Sequence, residues 1–270
     1  MSEPANTRAT APFWRTALAL WLLALCGVAL VMPYVAVLEH SVLAAAAARA
    51  RLDVRLLLLA SSVQSAVLLA VAVAAGLWAA RKLDLGTPLL DAALIRGPPP
   101  ARTLSTLLIA LAIGAATGLA IMALDRWVFA PMPSVAVLLR NAGGAAAPSR
   151  WLGLMASFYG ALDEEVLMRL GLVSLLALTL RWLLAAGDRE RRLPAGVFWV
   201  ANVAAAVLFG LGHLPATAAL APLTSAVVLR AVVLNGLGGL VFGALYRRWG
   251  LEWAMAAHFG TDLVLHVLGG

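Results

Sequence analysis

Three consecutive acids and an arginine lie in one of the most apolar parts of this 270-residue chain. The stretch DEEVLMRL runs from Asp163 to Leu170 and is surrounded by Leu, Ala, Val and Gly. A charged side chain at the centre of a membrane helix costs about 2.5 to 3.5 kcal/mol on insertion scales, more than a few apolar neighbours return. These groups must therefore face protein or a water-filled cavity, and intramembrane charge of this kind indicates function.

The spacing within this stretch predicts different partners for adjacent acids. Glu165 and Arg169 are four residues apart, so on an α-helix they lie on one face and can form an ion pair. Glu164 is turned away by about 100° and is free to serve a different partner.

Two further apolar segments carry ionisable residues at helical spacing. The stretch LFGLGHLP places Phe209 and His213 four residues apart, and AMAAHFGTDLVLHV places His258 and Asp262 four residues apart. A glutamate, two histidines and an aspartate can activate water, either around a divalent metal or with the glutamate as general base.

In their order and separation, the three motifs resemble the CPBP family of intramembrane proteases. That family includes the type II CAAX prenyl endopeptidases and the bacteriocin-processing and self-immunity proteins, and its pattern is E-E-x-x-x-R, then F-x-x-x-H, then H-x-x-x-N or D. The matching positions are Glu164, Glu165, Arg169, Phe209, His213, His258 and Asp262. Asp262 stands where the prenyl endopeptidases usually have Asn; an ionised Asp would oppose an oxyanion and would instead bind metal or orient His258.

The resemblance implies hydrolysis of a peptide bond inside the membrane. Glu164 would deprotonate the attacking water, and His213 would hold that water or bind a metal. His258 and Asp262 would stabilise the tetrahedral intermediate or coordinate the metal. The supporting residues would be Glu165 and Arg169, which hold the helix in register, and Phe209, which packs against a histidine. One divalent metal such as zinc, with Glu164, His213, His258 and Asp262 as its candidate ligands, is permitted but not required.

Composition indicates the elements that must position these side chains. The chain is 63% hydrophobic and 12% charged, with a mean hydropathy of +0.94, so it is expected to be an integral membrane protein. Seven runs are long enough to cross a bilayer as helices: Thr16 to Leu38, Leu56 to Ala80, Leu104 to Ala123, Leu152 to Leu180, Ala195 to His213, Leu223 to Tyr246 and Leu251 to Leu268. An eighth is open at Val42 to Ala50 or Ser134 to Arg140. The predicted fold is all-α, a polytopic transmembrane bundle of about seven to eight spans.

The ionisable groups within the predicted spans lie in the C-terminal part of the chain. Residues 1–103 are predicted to hold an N-terminal tail, two plain spans and a hydrophilic connector between Ala79 and Arg102. Residues 104–270 are predicted to form the catalytic core, with every motif within residues 150–270.

Charge and cysteine content limit the partners. The net charge is +7, but the arginines lie in short loops beside the spans, where they face lipid headgroups, so nucleic acid is not an expected partner. The expected partners are the lipid bilayer and a peptide or membrane-protein substrate. Cys26 is the one cysteine, so no intrachain disulfide can form. Lys82 is the one lysine among 20 basic residues, which favours a GC-rich bacterial source and location in the inner membrane. The oligomeric state is left open.

Two other function classes suit buried ionisable groups. One is a non-catalytic membrane protein of the same fold that acts in immunity or as a scaffold, and the other is a proton-coupled transporter. The sequence favours the peptidase because every motif position holds a chemically competent side chain. The polar groups also lie in the C-terminal half alone, whereas transporters usually repeat a half-architecture.

Overall fold

The structure is a computed structural model that describes residues 10–38, 43–44, 47–49, 51–143, 149–184 and 193–269. The described residues contain helices and no strand. Six of these helices are long and apolar enough to cross a membrane: Phe13–Val37, Val54–Arg81, Thr103–Phe129, Arg150–Leu184, Ala195–Ala218 and Ser225–Arg248. The prediction of an all-α polytopic bundle is confirmed.

The helices follow one another with short connections. In chain order, those with defined bounds are α1 Phe13–Leu38, α2 Val54–Arg81, α3 Pro88–Leu94, α4 Thr103–Leu124, α5 Pro133–Gly143, α6 Arg150–Tyr159, α7 Ser174–Leu184, α8 Ala195–Gly212, α9 Leu214–Ala218, α10 Ser225–Arg248 and α11 Leu251–Asp262. Wider π-helical segments extend or join some of them: Asp125–Phe129 after α4, Gly160–Glu164 and Val166–Val173 between α6 and α7, and Leu263–Leu268 after α11.

Sequence signals fix several helix starts. The Asp53 carboxylate accepts a hydrogen bond from the Arg55 N–H at 2.7 Å and caps α2. Ser149 and Thr224 accept hydrogen bonds from N–H groups in the first turns of α6 and α10. Each cap satisfies a backbone donor that has no partner within its own helix.

The outer faces of the long helices are apolar. Leu59, Val63 and Val67 recur at four-residue spacing on α2, and each is more than half exposed. Exposed large apolar side chains of this kind face lipid in a membrane protein. The chain is a membrane protein on this composition and architecture.

The predicted span Leu251 to Leu268 differs from the six long helices. Its α-helical part, α11, has 12 residues, and a six-residue π-helical segment follows. It packs against α4, α10 and the motif-bearing helix, so protein rather than lipid surrounds much of it. Among the described residues, six helices have the length and composition of a span, and Leu251 to Leu268 is not one of them.

The two candidates for an eighth span have different outcomes. Ser134 to Arg140 lies within α5, whose 11 residues extend only about 17 Å, too short to cross the hydrocarbon core. Val42 to Ala50 is described only at residues 43–44 and 47–49, so this candidate as a whole lies outside the described residues.

The N-terminal spans pack directly on the helix that carries the acids. α1 lies against α6 and the Gly160–Glu164 segment, and α2 lies against the Val166–Val173 segment. On the opposite side, α11 packs closely on α4, where a Cβ at Gly114 would collide with the carbonyl of Ala257. These contacts fix the motif-bearing segment between its neighbours.

The hydrophilic connector binds the start of α11. The Glu252 Oε1 atom accepts hydrogen bonds from the Leu89 and Leu90 N–H groups, both at 2.9 Å, and thereby caps α3. The Leu251 N–H donates to the Gly86 carbonyl at 3.0 Å. The same connector binds the start of α1 through Asp91, which accepts from the Thr16 hydroxyl at 2.9 Å. It therefore holds α1 and α11 at fixed positions.

Candidate active site

The segment that carries the acids is wider than an α-helix. Residues Gly160–Glu164 and Val166–Val173 are π-helical, and the Ser174 hydroxyl bonds back five residues to the Arg169 carbonyl. The α-helical spacing expected from the sequence is therefore wrong for these two segments. π-helical turns occur often at functional sites, where they redirect side chains.

Asp163 points away from the other two acids. It is fully buried against α1, where a Cβ at Gly27 would collide with its carboxyl group. Neither of its oxygens has a hydrogen-bond partner among the described residues. Asp163 therefore takes no part in the polar cluster that Glu164 and Glu165 form.

Glu165 is the centre of a buried ionic cluster. Its Oε1 atom lies 2.9 Å from Arg169 Nη1 and 2.8 Å from His258 Nδ1, and its side chain is 0% exposed. The contact with Arg169 is an ion pair without hydrogen-bond geometry. The ion pair expected from the four-residue spacing is present, and the Glu165 carboxylate also contacts His258.

Aromatic rings enclose the Arg169 guanidinium. Its central carbon lies 5.5 Å from the ring centre of Phe209 and 5.2 Å from that of Phe242. Phe242 also stacks on the His258 imidazole with ring centres 4.6 Å apart. These cation–π and stacking contacts join the acidic segment to α8, α10 and α11.

Glu164 faces a cleft. Its side chain is 23% exposed, and its Oε2 atom lies 3.6 Å from His258 Nε2. The cleft has a volume of about 230 Å³, and its polar lining consists of Glu164, His213 and Tyr159. Since a water molecule occupies about 30 Å³ in the liquid, the cleft has room for several. Its apolar wall consists of Leu167, Met168, Leu208 and Phe209.

His258 and Asp262 lie behind Glu164. His258 Nε2 is 3.7 Å from Asp262 Oδ1, and both side chains are almost buried. A hydrogen bond joins His258 Nδ1 to the Glu165 carboxylate, which can only accept, so Nδ1 is the donor. The other ring nitrogen, Nε2, is turned towards Glu164 and Asp262. His266 follows on the same face, with its Nε2 atom 4.0 Å from Asp262 Oδ1.

His213 lies at the end of α8 on the cleft wall. Its Nδ1 atom is 2.8 Å from the Phe209 carbonyl oxygen, and its ring stands edge-on to the Phe209 ring with centres 4.8 Å apart. A carbonyl only accepts, so Nδ1 carries the hydrogen and a neutral His213 has a lone pair on Nε2. Within the part of the chain described, no hydrogen bond or ion pair joins its imidazole to Glu164, His258 or Asp262.

The predicted metal ligands can be compared with this geometry. Among the described residues, no three His, Cys, Asp or Glu side chains are arranged to hold a metal ion. Glu164, His258 and Asp262 are neighbours, but His213 reaches the site only across the cleft. As arranged here, the residues do not form the four-ligand set that the sequence permits.

Gly160 allows the acidic segment to approach α11. A Cβ at this position would collide with Asp262 Oδ2 and lie 3.0 Å from His258 Nε2. The absence of a side chain therefore lets the two polar segments meet at His258 and Asp262.

We expect Gly160→Ala to displace Asp262 and His258 and to lower the cleavage rate severely. Overpacking of this kind typically costs about 1 to 3 kcal/mol of stability as well. Initial cleavage rates and thermal unfolding in detergent measure the two effects. Gly196→Ala is the matched control, because a Cβ at Gly196 meets no atom within 4 Å. Equal rates for the two variants would contradict the close approach at Gly160.

Two residues of the site were not expected from the sequence. Tyr159 lies outside the three motifs, and only the position of the cleft shows that it faces Glu164. Phe242 lies between two glycines, Gly239 and Gly243, and its stacking on His258 depends on how α10 meets α11. The one signal for Tyr159 was a polar aromatic residue one helical turn before the acids.

The fold and the site together define a polytopic membrane protein with a cleft beside a buried carboxylate–imidazole cluster. A family model described as type II CAAX prenyl endopeptidase Rce1-like matches residues 146–264. The matched range contains all seven motif positions, and it confirms the resemblance to the CPBP family noted from the sequence. Residues 146–264 are therefore similar to a domain of a protease family. Comparison with curated proteins gave no match, and comparison with solved structures gave none either.

Proposed function

We propose that this protein is an intramembrane endopeptidase that hydrolyses a peptide bond of a hydrophobic or membrane-associated substrate. The observation that carries the proposal is that Glu164 and His213 line one cleft, with His258 3.6 Å behind Glu164. A base, a water-holding group and space for water are the components that hydrolysis requires.

Glu164 is the general base in this proposal. Its carboxylate takes a proton from water as the water oxygen attacks the carbonyl carbon, and it later returns that proton to the leaving nitrogen. His213 supports this step because its Nε2 lone pair can accept a hydrogen bond from the same water. The two groups lie on the wall of one cleft, so a single water can be held between them.

The Glu164 base is supported by three residues: His258, Asp262 and Glu165. His258 is held by Glu165 through Nδ1, and its Nε2 atom faces both Glu164 and Asp262. This arrangement orients the Glu164 carboxylate towards the cleft and supplies a partner for it when it carries a proton. Arg169 balances the charge of Glu165, and Phe209 packs on the Arg169 guanidinium.

The cleft favours an apolar substrate side chain. Leu167, Met168, Leu208 and Phe209 form its wall, and His213 is its one lining residue with a basic side chain. We propose a bacterial peptide, signal segment or membrane protein as substrate, in the inner membrane. A divalent metal stays a proposal as well; it would need Glu164, His258 and Asp262 to move together around it.

Comparison of peptide termini in membranes tests this function. Membranes from cells with the wild-type protein are expected to contain peptide termini that are missing when Glu164 is replaced by Gln. The termini should adjoin hydrophobic sequences, because the cleft wall is apolar. Metal content of the purified protein, measured on the same preparations, tests the metal proposal.

Identical termini in both membranes would contradict the enzymatic function. The scaffold alternative is then supported if Glu164→Gln keeps the cellular phenotype. The transporter alternative is supported if proteoliposomes show pH-dependent uptake without new termini.

A further inference from the structure

Tyr159 lines the cleft together with Glu164 and carries a hydroxyl group. It is the last residue of α6 and lies five positions before Glu164, at the point where the helix widens. Its side chain is half-buried and shares the cleft lining with Glu164 and His213. Within the described residues, the Tyr159 hydroxyl forms no hydrogen bond, whereas the Tyr246 hydroxyl is bonded to Ser174 at 2.8 Å.

Peptide hydrolysis requires a hydrogen-bond donor that the residues predicted from the sequence do not supply. When water adds to a carbonyl carbon, the carbonyl oxygen becomes an oxyanion, which needs hydrogen-bond donors. An ionised Asp262 is an acceptor only, and Glu164 must be ionised to act as the base, so in that state neither side chain offers a donor. Neither can stabilise a negative oxygen in that state.

The two imidazoles have their N–H groups already in use. The His213 Nδ1–H donates to the Phe209 carbonyl, and the His258 Nδ1–H donates to Glu165. The other nitrogen of His213 holds the water in the proposed mechanism, and the other nitrogen of His258 faces two carboxylates. Among the described residues that line the cleft, Tyr159 is then the side-chain donor without a protein acceptor.

We propose that the Tyr159 hydroxyl donates a hydrogen bond to the oxyanion of the tetrahedral intermediate. This inference rests on the proposed function. It makes Tyr159 a catalytic residue in this chain, with the donor role that Asp262 cannot fill as a carboxylate.

The step balances without an additional reactant. Glu164 takes one proton from water, the oxygen–carbon bond forms, and the carbonyl π electrons move onto the oxygen that Tyr159 contacts. When the intermediate collapses, those electrons re-form the carbonyl, the carbon–nitrogen bond breaks, and the proton on Glu164 passes to the nitrogen. Tyr159 keeps its proton throughout, because a hydrogen bond to the oxyanion is sufficient.

Replacing Tyr159 by Phe removes the hydroxyl and leaves the ring. With a peptide taken from the termini that wild-type membranes generate, we expect kcat to fall on the order of 10²-fold and KM to stay near its wild-type value. A phosphinic analogue of that peptide mimics the tetrahedral oxyanion, so its affinity should fall in parallel with kcat. Tyr34→Phe is the matched control: Tyr34 lies on α1, and its ring contacts His266 outside the cleft lining.

The outcomes separate this inference from the function on which it rests. An unchanged kcat in Tyr159→Phe, with Glu164→Gln inactive, overturns the role of Tyr159 and leaves the peptidase intact. A raised KM with unchanged kcat also overturns it, because that pattern indicates ordinary substrate binding. Cleavage that survives Glu164→Gln contradicts the proposed function itself.

Discussion

Glu164→Gln is expected to reduce kcat for peptide cleavage by about 10² to 10⁴-fold, the contribution typical of a general base. The amide is almost the same size as the carboxylate but cannot take a proton from water. Glu164 is 23% exposed, and within the described residues its side chain forms no hydrogen bond and approaches His258 at 3.6 Å, so the fold should tolerate the change. The measurement is single-turnover cleavage by purified protein in detergent or proteoliposomes.

Two further substitutions make this result specific. Glu164→Asp keeps the carboxylate but withdraws it from the cleft by one methylene, so an intermediate rate is expected. Asp84→Asn is the matched acid-to-amide control at an exposed position of the connector, and full activity is expected there. Full activity in Glu164→Gln would require a different base and would remove the main support for the mechanism.

The second large effect concerns stability. Arg169→Met is expected to lower the free energy of unfolding by about 3 to 5 kcal/mol, because it leaves the Glu165 charge buried without its cation. Arg169 is 2% exposed and Glu165 is 0% exposed, so water cannot replace the lost partner. Denaturant or thermal unfolding in detergent, followed by helical circular dichroism, measures the change.

The double variant Glu165→Gln/Arg169→Met separates the ion pair from simple loss of packing. Without the buried charge, it should be more stable than Arg169→Met alone. Arg150→Met, at the exposed start of α6, is the matched control and should change the stability little. If the double variant is as unstable as the single one, the charge of Glu165 is not the cause.

The sequence predicted the parts of the site that follow from local spacing. The contacts of Glu165 with Arg169 and of His258 with Asp262 are present, because residues four positions apart remain neighbours on these helices. The all-α membrane fold followed from composition alone. These features depend on short stretches of chain and on transfer free energies, which a sequence shows directly.

Features that depend on how distant helices meet could not be predicted. The π-helical turns of the Gly160–Glu164 and Val166–Val173 segments are one such feature, because apolar periodicity does not indicate them. The position of Tyr159 on the cleft depends on the packing of the motif helix against α8. Hydropathy also does not show that the predicted span Leu251 to Leu268 packs largely against other helices.

One oxygen, Glu165 Oε1, contacts both Arg169 and His258, and this limits how such a protein can diverge. A mutation that re-orients His258 also disturbs the ion pair between Glu165 and Arg169. A change at His258 that raises turnover is therefore expected to lower the stability of the fold. Leu167, Met168 and Leu208 on the cleft wall have no such coupling. New substrate preferences are therefore expected to evolve through the apolar wall, while the ionic cluster changes little.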